Sequence, residues 1–275
     1  MLRRHVLVAA AATAAATSLA FAPAAFAESF VAADSANRLY TFDDRAPAKW
    51  TRSKPLDGLA EGERIVGLDV RPANRQLFAL TNMGRLYVVQ RSKARVTALS
   101  EGTLSPALSG IAFGFDFNPT VDRIRLVADS GQNLRLNPNT GAVAFTDGTL
   151  RYIDGDGGAG IAPVAVASAY TNSVAGATTT TLYDIDSARD VLAIQAPPNE
   201  GVLTTVGPLG VNLVGPVSFD ISARDGKAYV LARRARFARS RLYKINLGKG
   251  TARELGIVSR APNLVAFATL SKPKG

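Results

Sequence analysis

An all-β chain closed into a five-bladed β-propeller is what this sequence predicts, and three observations lead to it. Short apolar strands closing at Asp69, Asp116, Tyr170, Asp220 and Ala268 recur along the chain. A second series, Tyr40, Tyr87, Arg135, Ala193 and Tyr243, keeps step with them at intervals of 47, 48, 58 and 50 residues. Glycines at Gly102, Gly148, Gly207 and Gly256 share the rhythm, and their one long step falls in the same unit. Self-similarity at about 40 to 50 residues, filled with strand-like segments, is the mark of a propeller. No stretch after the first residues sustains a 3.6-residue apolar period, so helix is a minor component.

Taken in order, the chain starts with Arg3 and Arg4, an apolar run from Val6 to Ala22, and Ala25-Phe26-Ala27 ahead of Glu28. A basic start, a short apolar core and an Ala-x-Ala exit predict a secretory signal peptide over residues 1–27, cleaved to leave one domain over 28–275 and a secreted or periplasmic protein. The run is too short and Ala-rich for a convincing membrane span, and no later segment supplies the ~20 apolar residues one needs. The Arg3-Arg4 pair fits a general secretory signal or a twin-arginine one, the residue ahead of it being Leu2 where a polar one is usual.

The clearest repeat places strands at 65–70, 76–81, 85–89 and 95–99, with turns at Arg71-Pro72-Ala73-Asn74 and Asn82-Met83-Gly84. Gly, Pro and Asn interrupting runs of Leu, Val, Phe and Tyr give an antiparallel meander. The next units run 112–118, 123–129, 133–137 and 142–147; then 164–170, 179–185, 191–195 and 202–207; then 217–222, 228–232, 241–246 and 252–256. Two fragments remain, three strands at 30–33, 38–42 and 49–52 and a lone strand at 264–270, which together make a fifth blade from both chain ends. That closure leaves no open ring edge.

Alternating strand direction puts the turns between second and third strands, and the links from fourth strand to next blade, on one face. The span from Gly148 to Tyr170 is 22 residues against 14 from Gly102 to Asp116, so an insertion is expected at 151–163. A second lies between Tyr229 and Tyr243, 14 residues apart against 9 from Phe78 to Tyr87. Both insertions should share that face, in neighbouring blades.

The formal charge is +10, or +8 without Arg3 and Arg4, which favours anionic partners. There is no cysteine, so the fold must hold by burial alone. The single histidine, His5, lies in the expected leader. A mature chain without His or Cys excludes Ser-His-Asp and Cys-His catalysis and the usual zinc, copper and haem sites. Carboxylates, Lys, Tyr or an oxygen-ligated metal are the chemistry that remains.

The segment Phe113-Gly114-Phe115-Asp116-Phe117-Asn118-Pro119-Thr120-Val121-Asp122-Arg123-Ile124-Arg125, continued by Asp129-Ser130-Gly131-Gln132-Asn133-Leu134-Arg135-Leu136-Asn137-Pro138, resembles the signature of the bacterial domain-of-unknown-function family 4394 (DUF4394). Ala169-Tyr170-Thr171-Asn172 and the run from Gly176 to Asp186 resemble it too. The resemblance spans nearly all of the mature chain. It implies an exported, propeller-like protein and carries no activity or catalytic residue with it. The same residues also make blade turns, where Pro presets φ and Asn or Asp bonds the local backbone.

Four groups of residues offer chemistry. Asp154 and Asp156, in Asp154-Gly155-Asp156-Gly157-Gly158, offer carboxylates for Ca²⁺ or form an ordinary solvated loop. Asp184, Asp186 and Asp190 resemble part of a calcium loop without its central Gly and terminal Glu, and a turn opened by Asp is the simpler reading. Asp69, Asp116 and Asp220 are either carboxylates ringing the channel mouth or a repeated structural device, the latter favoured because the fold repeats them. Arg233, Arg234, Arg236, Arg239 and Arg241 surround Phe237 in an enlarged loop that suits phosphate, sulfate or carboxylate, unless it is a solvated face. Trp50 packs a blade face or offers a platform for a sugar.

The expected function is a non-catalytic binding scaffold for a ligand, an acidic glycan, an anionic lipid head group or an envelope protein, with nucleic acid not expected. The alternatives are a carboxylate- or calcium-dependent enzyme acting on sugars or lactones, and a structural envelope component. No cofactor is called for, apart from that calcium.

Overall fold

The structure is a computed structural model that describes residues 27–258 and 263–273. All of the expected leader except Ala27 lies outside the described residues. In chain order, β1 (Ser29–Asp34), β2 (Arg38–Asp43) and β3 (Thr51–Pro55) belong to the first blade; β4 (Ile65–Val70), β5 (Leu77–Thr81), β6 (Leu86–Gln90) and β7 (Arg95–Ala98) form the second. The third holds β8 (Phe113–Asn118), β9 (Arg123–Ala128), β10 (Asn133–Leu136) and β11 (Val143–Thr146). A short β12 (Arg151–Tyr152) precedes the fourth, β13 (Ala165–Tyr170), β14 (Leu182–Asp186), β15 (Val191–Gln195) and β16 (Val202–Pro208). The fifth is β17 (Leu213–Ile221), β18 (Ala228–Arg234), β19 (Arg241–Ile245) and β20 (Ala252–Ile257), and β21 (Leu264–Thr269) ends the series. Among the described residues there is no α-helix, and so none long and apolar enough to cross a membrane.

Five antiparallel sheets make five blades, as the repeat predicts. The ring closes as expected: β21 pairs β1 with Phe30 opposite Thr269, Val31 opposite Ala268 and Ala32 opposite Phe267, giving a first blade ordered β21-β1-β2-β3.

Three details differ from expectation. The insertion after the third blade contributes β12, which runs parallel to β16 and covers the outer edge of the fourth blade. The link from β13 to β14, the longest of its kind, is three residues longer than expected, because Thr179 to Thr181, expected in a strand, belong to it. β17 begins at Leu213 rather than Val217, since an irregularity between Val214 and Ser218 lets the hairpin with β18 resume beyond it.

Alternating side chains of the blade strands fill the seams between blades. Phe78, Phe115 and Phe117 pack the second against the third, Phe30, Phe267 and Tyr229 the fifth against the first, and Ile185, Phe219 and Tyr243 the fourth against the fifth. Trp50 packs this core too, edge-on to Tyr40 at 5.0 Å between ring centres. The seam between the third and fourth blades has a smaller apolar cluster and also buries Arg125 and Asp184. On the axis the strands nearly touch. A Cβ at Gly114 would lie 2.5 Å from the Ser168 N and Oγ atoms, and one at Gly67 would lie 2.8 Å from Phe115 Cβ. The cavity left there is about 10 Å³, room for about one water.

Candidate functional site

Asp69, Asp116 and Asp220 occupy the same place near the ends of β4, β8 and β17, with ligand oxygens within 4.8 Å of one another and all three side chains buried. Each reaches forward to the next blade. Asp69 Oδ2 accepts from Phe117 N at 2.7 Å, Asp116 Oδ1 from Tyr170 N at 2.9 Å, and Asp220 Oδ2 from Thr269 N at 2.6 Å. The donor is each time the residue after the equivalent position, so the fourth blade's counterpart of these aspartates is Ala169, one residue before the expected Tyr170. The fourth and first blades carry Ala169 and Ala268 there and offer no carboxylate. The N–H groups left over, on Ile221 and Val70, are taken by the second oxygens of Asp220 and Asp69, both at 2.6 Å. Three carboxylates thus satisfy five buried N–H groups, one from each blade, which is the structural role that repetition predicts.

Burial, and the other carboxylates of the cluster, push the Asp69 and Asp116 carboxyls well above the usual range, and burial pushes Asp220 up to about 7. Arg75 is a counter-charge to Asp69 and Asp220. Its guanidinium is pulled down by burial and held up by Asp69, Asp220 and Glu28, and its Nη2 donates to the Leu270 and Ser271 carbonyls at 3.0 Å.

The residues expected as metal ligands, Asp154, Asp156, Asp184, Asp186 and Asp190, are not brought together; among the described residues the axial aspartates are the carboxylate group of three or more so gathered. Asp154 is exposed. Asp156 Oδ2 accepts from Thr205 N and its Oδ1 from Thr205 Oγ1 and Gly158 N, at 2.7, 2.8 and 2.7 Å, which ties the insertion to β16 and holds its carboxyl below the usual range. Asp186 takes the Tyr152 hydroxyl at 2.7 Å and Ala188 N at 2.9 Å, so it opens a turn, as the simpler reading has it. Asp190 accepts from Leu213 N at 3.3 Å.

Asp184 sits instead in the polar seam, fully buried, with neither oxygen hydrogen-bonded, and burial pushes its carboxyl up to about 8 against the pull of Arg125. Arg125 is 1% exposed and donates to Asn133, Asp147 and Asn199 at 2.7, 2.5 and 2.8 Å.

The arginine segment is split by the extended hairpin. Arg233 and Arg234 close β18 opposite Val214 and Leu213, and Arg241 opens β19, so the loop proper is 235–240 and holds Arg236 and Arg239. Arg233 lies over Gly215, where φ is +71° and a Cβ would come within 2.2 Å of its guanidinium. Arg241 pairs with Glu254 and stacks on Phe237, its guanidinium 4.7 Å from the ring centre. Arg234, Arg236 and Arg239 are exposed and make no ion pair among the described residues.

Both insertions come to the same face, as expected: Tyr152 and Asp156 of the first contact Arg189 in the turn after β14, and that turn and the second insertion line a groove of about 590 Å³ between the fourth and fifth blades, with Arg189, Asp190, Asn212, Arg234, Arg236 and Phe237 on its walls. Arg189 is steadied by Thr205 Oγ1 at 3.0 Å and by the Tyr152 ring at 4.6 Å. Arg234, Arg241 and Tyr243 project from one face of the fifth blade, toward the fourth. The Tyr243 hydroxyl and Arg241 Nε are buried there without a hydrogen-bond partner. Arginine forks beside an exposed ring suit an oxyanion carried on a ligand with an apolar face.

Sequence reasoning missed Arg75, Arg125, Arg189 and Glu28. Only Arg125 gave a signal, a basic residue flanked by Ile124 and Leu126 on an apolar strand; Arg75 and Arg189 stand in ordinary polar turns, and Glu28 at the expected cleavage point.

A family model described as a domain of unknown function (DUF4394) matches residues 38–268. No curated protein matches the chain. Among solved structures, glutaminyl cyclase of Myxococcus xanthus is similar at 10% identity and a TM-score of 0.46, over 80% of this chain and 82% of that one. A chain of a nidogen–laminin complex is similar at 10% identity and a TM-score of 0.46, over 89% and 85%. An auxiliary nutrient binding protein from Bacteroides ovatus follows at 15% and 0.44, over 70% and 50%. Likeness at this level carries no argument about activity.

Proposed function

Since the chain belongs to the DUF4394 family, which brings no activity with it, we propose from its own geometry that it is an exported, non-catalytic scaffold whose groove between the fourth and fifth blades binds an acidic glycan. The observation that carries this reading is the set of unpaired guanidinium groups at the groove. Arg71, Arg85, Arg125 and Arg135 have carboxylate partners; Arg234 and Arg236 have none among the described residues and, unlike other arginines without one, stand together on one groove. An arginine left without an internal carboxylate keeps its fork for a carboxylate or sulfate outside. Phe237, 48% exposed, offers the apolar surface that a sugar face can cover, and one such ring is too little to insert into a lipid surface.

The calcium-dependent enzyme has the axial aspartates to rest on, since their oxygens are close enough to approach a common point. Against it stand the five backbone N–H groups those carboxylates already accept and the narrowness of the axis above them. Calcium that raises the melting temperature, and loses that effect in Asp116→Asn, would favour the enzyme.

The scaffold is tested by binding of the folded protein to a uronic-acid polysaccharide at rising salt, with a neutral polysaccharide and anionic vesicles alongside. Binding confined to the acidic polysaccharide and weakening steeply with salt is expected. Equal binding to the neutral polymer, or to vesicles alone, would reject the glycan.

A further inference from the structure

The peptide bond that the Ala-x-Ala exit would open, between Ala27 and Glu28, is built into the ring. Its carbonyl oxygen, on Ala27, accepts from Arg224 Nη1 at 2.7 Å, and its N–H, on Glu28, donates to Asp44 Oδ1 at 2.9 Å. The Glu28 side chain is 2% exposed; Oε2 accepts from Ser222 Oγ at 2.6 Å and Oε1 from Ser271 N at 3.2 Å. Three segments far apart in sequence therefore meet on this residue: the start of β1, the turn after β17 and the chain beyond β21. Asp44 also receives the Tyr229 hydroxyl at 3.3 Å.

We propose that the leader is removed between Ala27 and Glu28 before the ring closes, and that the Glu28 ammonium so created becomes a structural group of the mature protein, paired with Asp44. The inference rests on the leader reading and is independent of the groove. In the hydrolysis a water oxygen bonds to the Ala27 carbonyl carbon, the C–N bond breaks, and the departing nitrogen takes a proton and, at neutral pH, a second. A leader peptidase must hold this bond extended and polarise its carbonyl. In the closed ring Arg224 and Asp44 hold both polar groups of the bond, and the side chain that follows it is inside the protein, so a folded precursor does not offer this bond to a peptidase. Cleavage before closure means that the chain crosses the membrane unfolded, and the Arg3-Arg4 pair is then an ordinary basic start rather than a label for a folded cargo. In the product the neutral N–H facing Asp44 becomes a full charge, which strengthens the contact.

Three measurements bear on it. Full-length precursor is incubated with leader peptidase either folded or held unfolded in urea dilute enough to spare the enzyme, and followed by intact mass. Only the unfolded form should be cut, after Ala27; cleavage of the folded form at the same rate would overturn the order of events. The second needs no folded precursor: with Arg3→Lys and Arg4→Lys, export and a mature chain starting at Glu28 should persist in a bacterial host, and loss of export would overturn the unfolded route. Third, NMR titration of the Glu28 α-amine in the mature protein should place it above the usual range of about 7.7–8.0, returning toward it in Asp44→Asn. An amine that titrates in the usual range in the unaltered protein would reject the ion pair.

Discussion

The axial aspartates and the groove arginines are both clusters of like charge, and the fold treats them in opposite ways. Asp69, Asp116 and Asp220 recur in blade register, are buried, and are engaged by backbone N–H groups of their own and neighbouring blades. Arg234, Arg236 and Arg239 occur in one blade, stand at an insertion, are exposed, and have no internal carboxylate partner among the described residues. Charge that repeats with the blade joins the ring together; charge that occurs once, beside a groove, is left for a ligand. If that contrast is right, altering the first cluster should unfold the protein and altering the second should leave it folded but unable to bind.

The ring itself gives the largest expected effect. Deleting residues 264–275 removes β21, the inner strand of the first blade, and leaves the β1 edge and its apolar face exposed. The truncated protein should show no cooperative thermal transition, and a melting temperature equal to that of the full chain would contradict the closure. Single aspartates come next. Asp69→Ala and Asp220→Ala each strip the acceptor from two buried N–H groups and should cost about 2–5 kcal/mol, against about 1–3 for Asp116→Ala, which strips one, as read by denaturant unfolding. Equal costs for the three would break the link between N–H count and stability.

A smaller effect should follow pH. Burial raises the carboxyls of Asp184, to about 8, and Asp220, to about 7, and those of Asp69 and Asp116 move the same way. In the unfolded chain each titrates near about 3.9, so between about pH 4 and pH 8 the folded state binds more protons than the unfolded one. The stability these groups contribute is therefore complete at the acid end of that window and is lost as pH rises through the folded values. The melting temperature should be higher at about pH 5 than at about pH 9, and Asp184→Asn should narrow the difference. A melting temperature that rises over that interval would show that these carboxyls are ionised in the fold.

Much of this contrast is legible in the sequence, and the parts that are not have a common reason. The blade count and the closure from both chain ends follow from local signals, Gly, Pro and Asn between short apolar runs, and strands made by such signals fall within a few residues of their predicted limits. The structural role of the axial aspartates is legible too, because they repeat. Their fourth-blade counterpart was not, since Ala169 carries no side chain that marks the position and the neighbouring Tyr170 does. The division of the arginine segment depends on the irregularity at Gly215, which shifts Arg233 and Arg234 onto a strand, and no residue within the segment signals it. Arg75, Arg125 and Glu28 act across 195, 74 and 243 positions of sequence, and partners at that distance leave no local pattern.

The central claim is that the unpaired arginines serve a ligand and not the fold, and one comparison tests it most directly. The variant Arg234→Ala/Arg236→Ala/Arg239→Ala should unfold within about 0.5 kcal/mol per substitution of the unaltered protein, as exposed side chains do. Its affinity for the acidic polysaccharide at low salt should fall at least about tenfold, a loss of about 1.4 kcal/mol or more, and its salt dependence should flatten. Unchanged affinity in a folded triple variant would contradict the account and return the arginine loop to a solvated face.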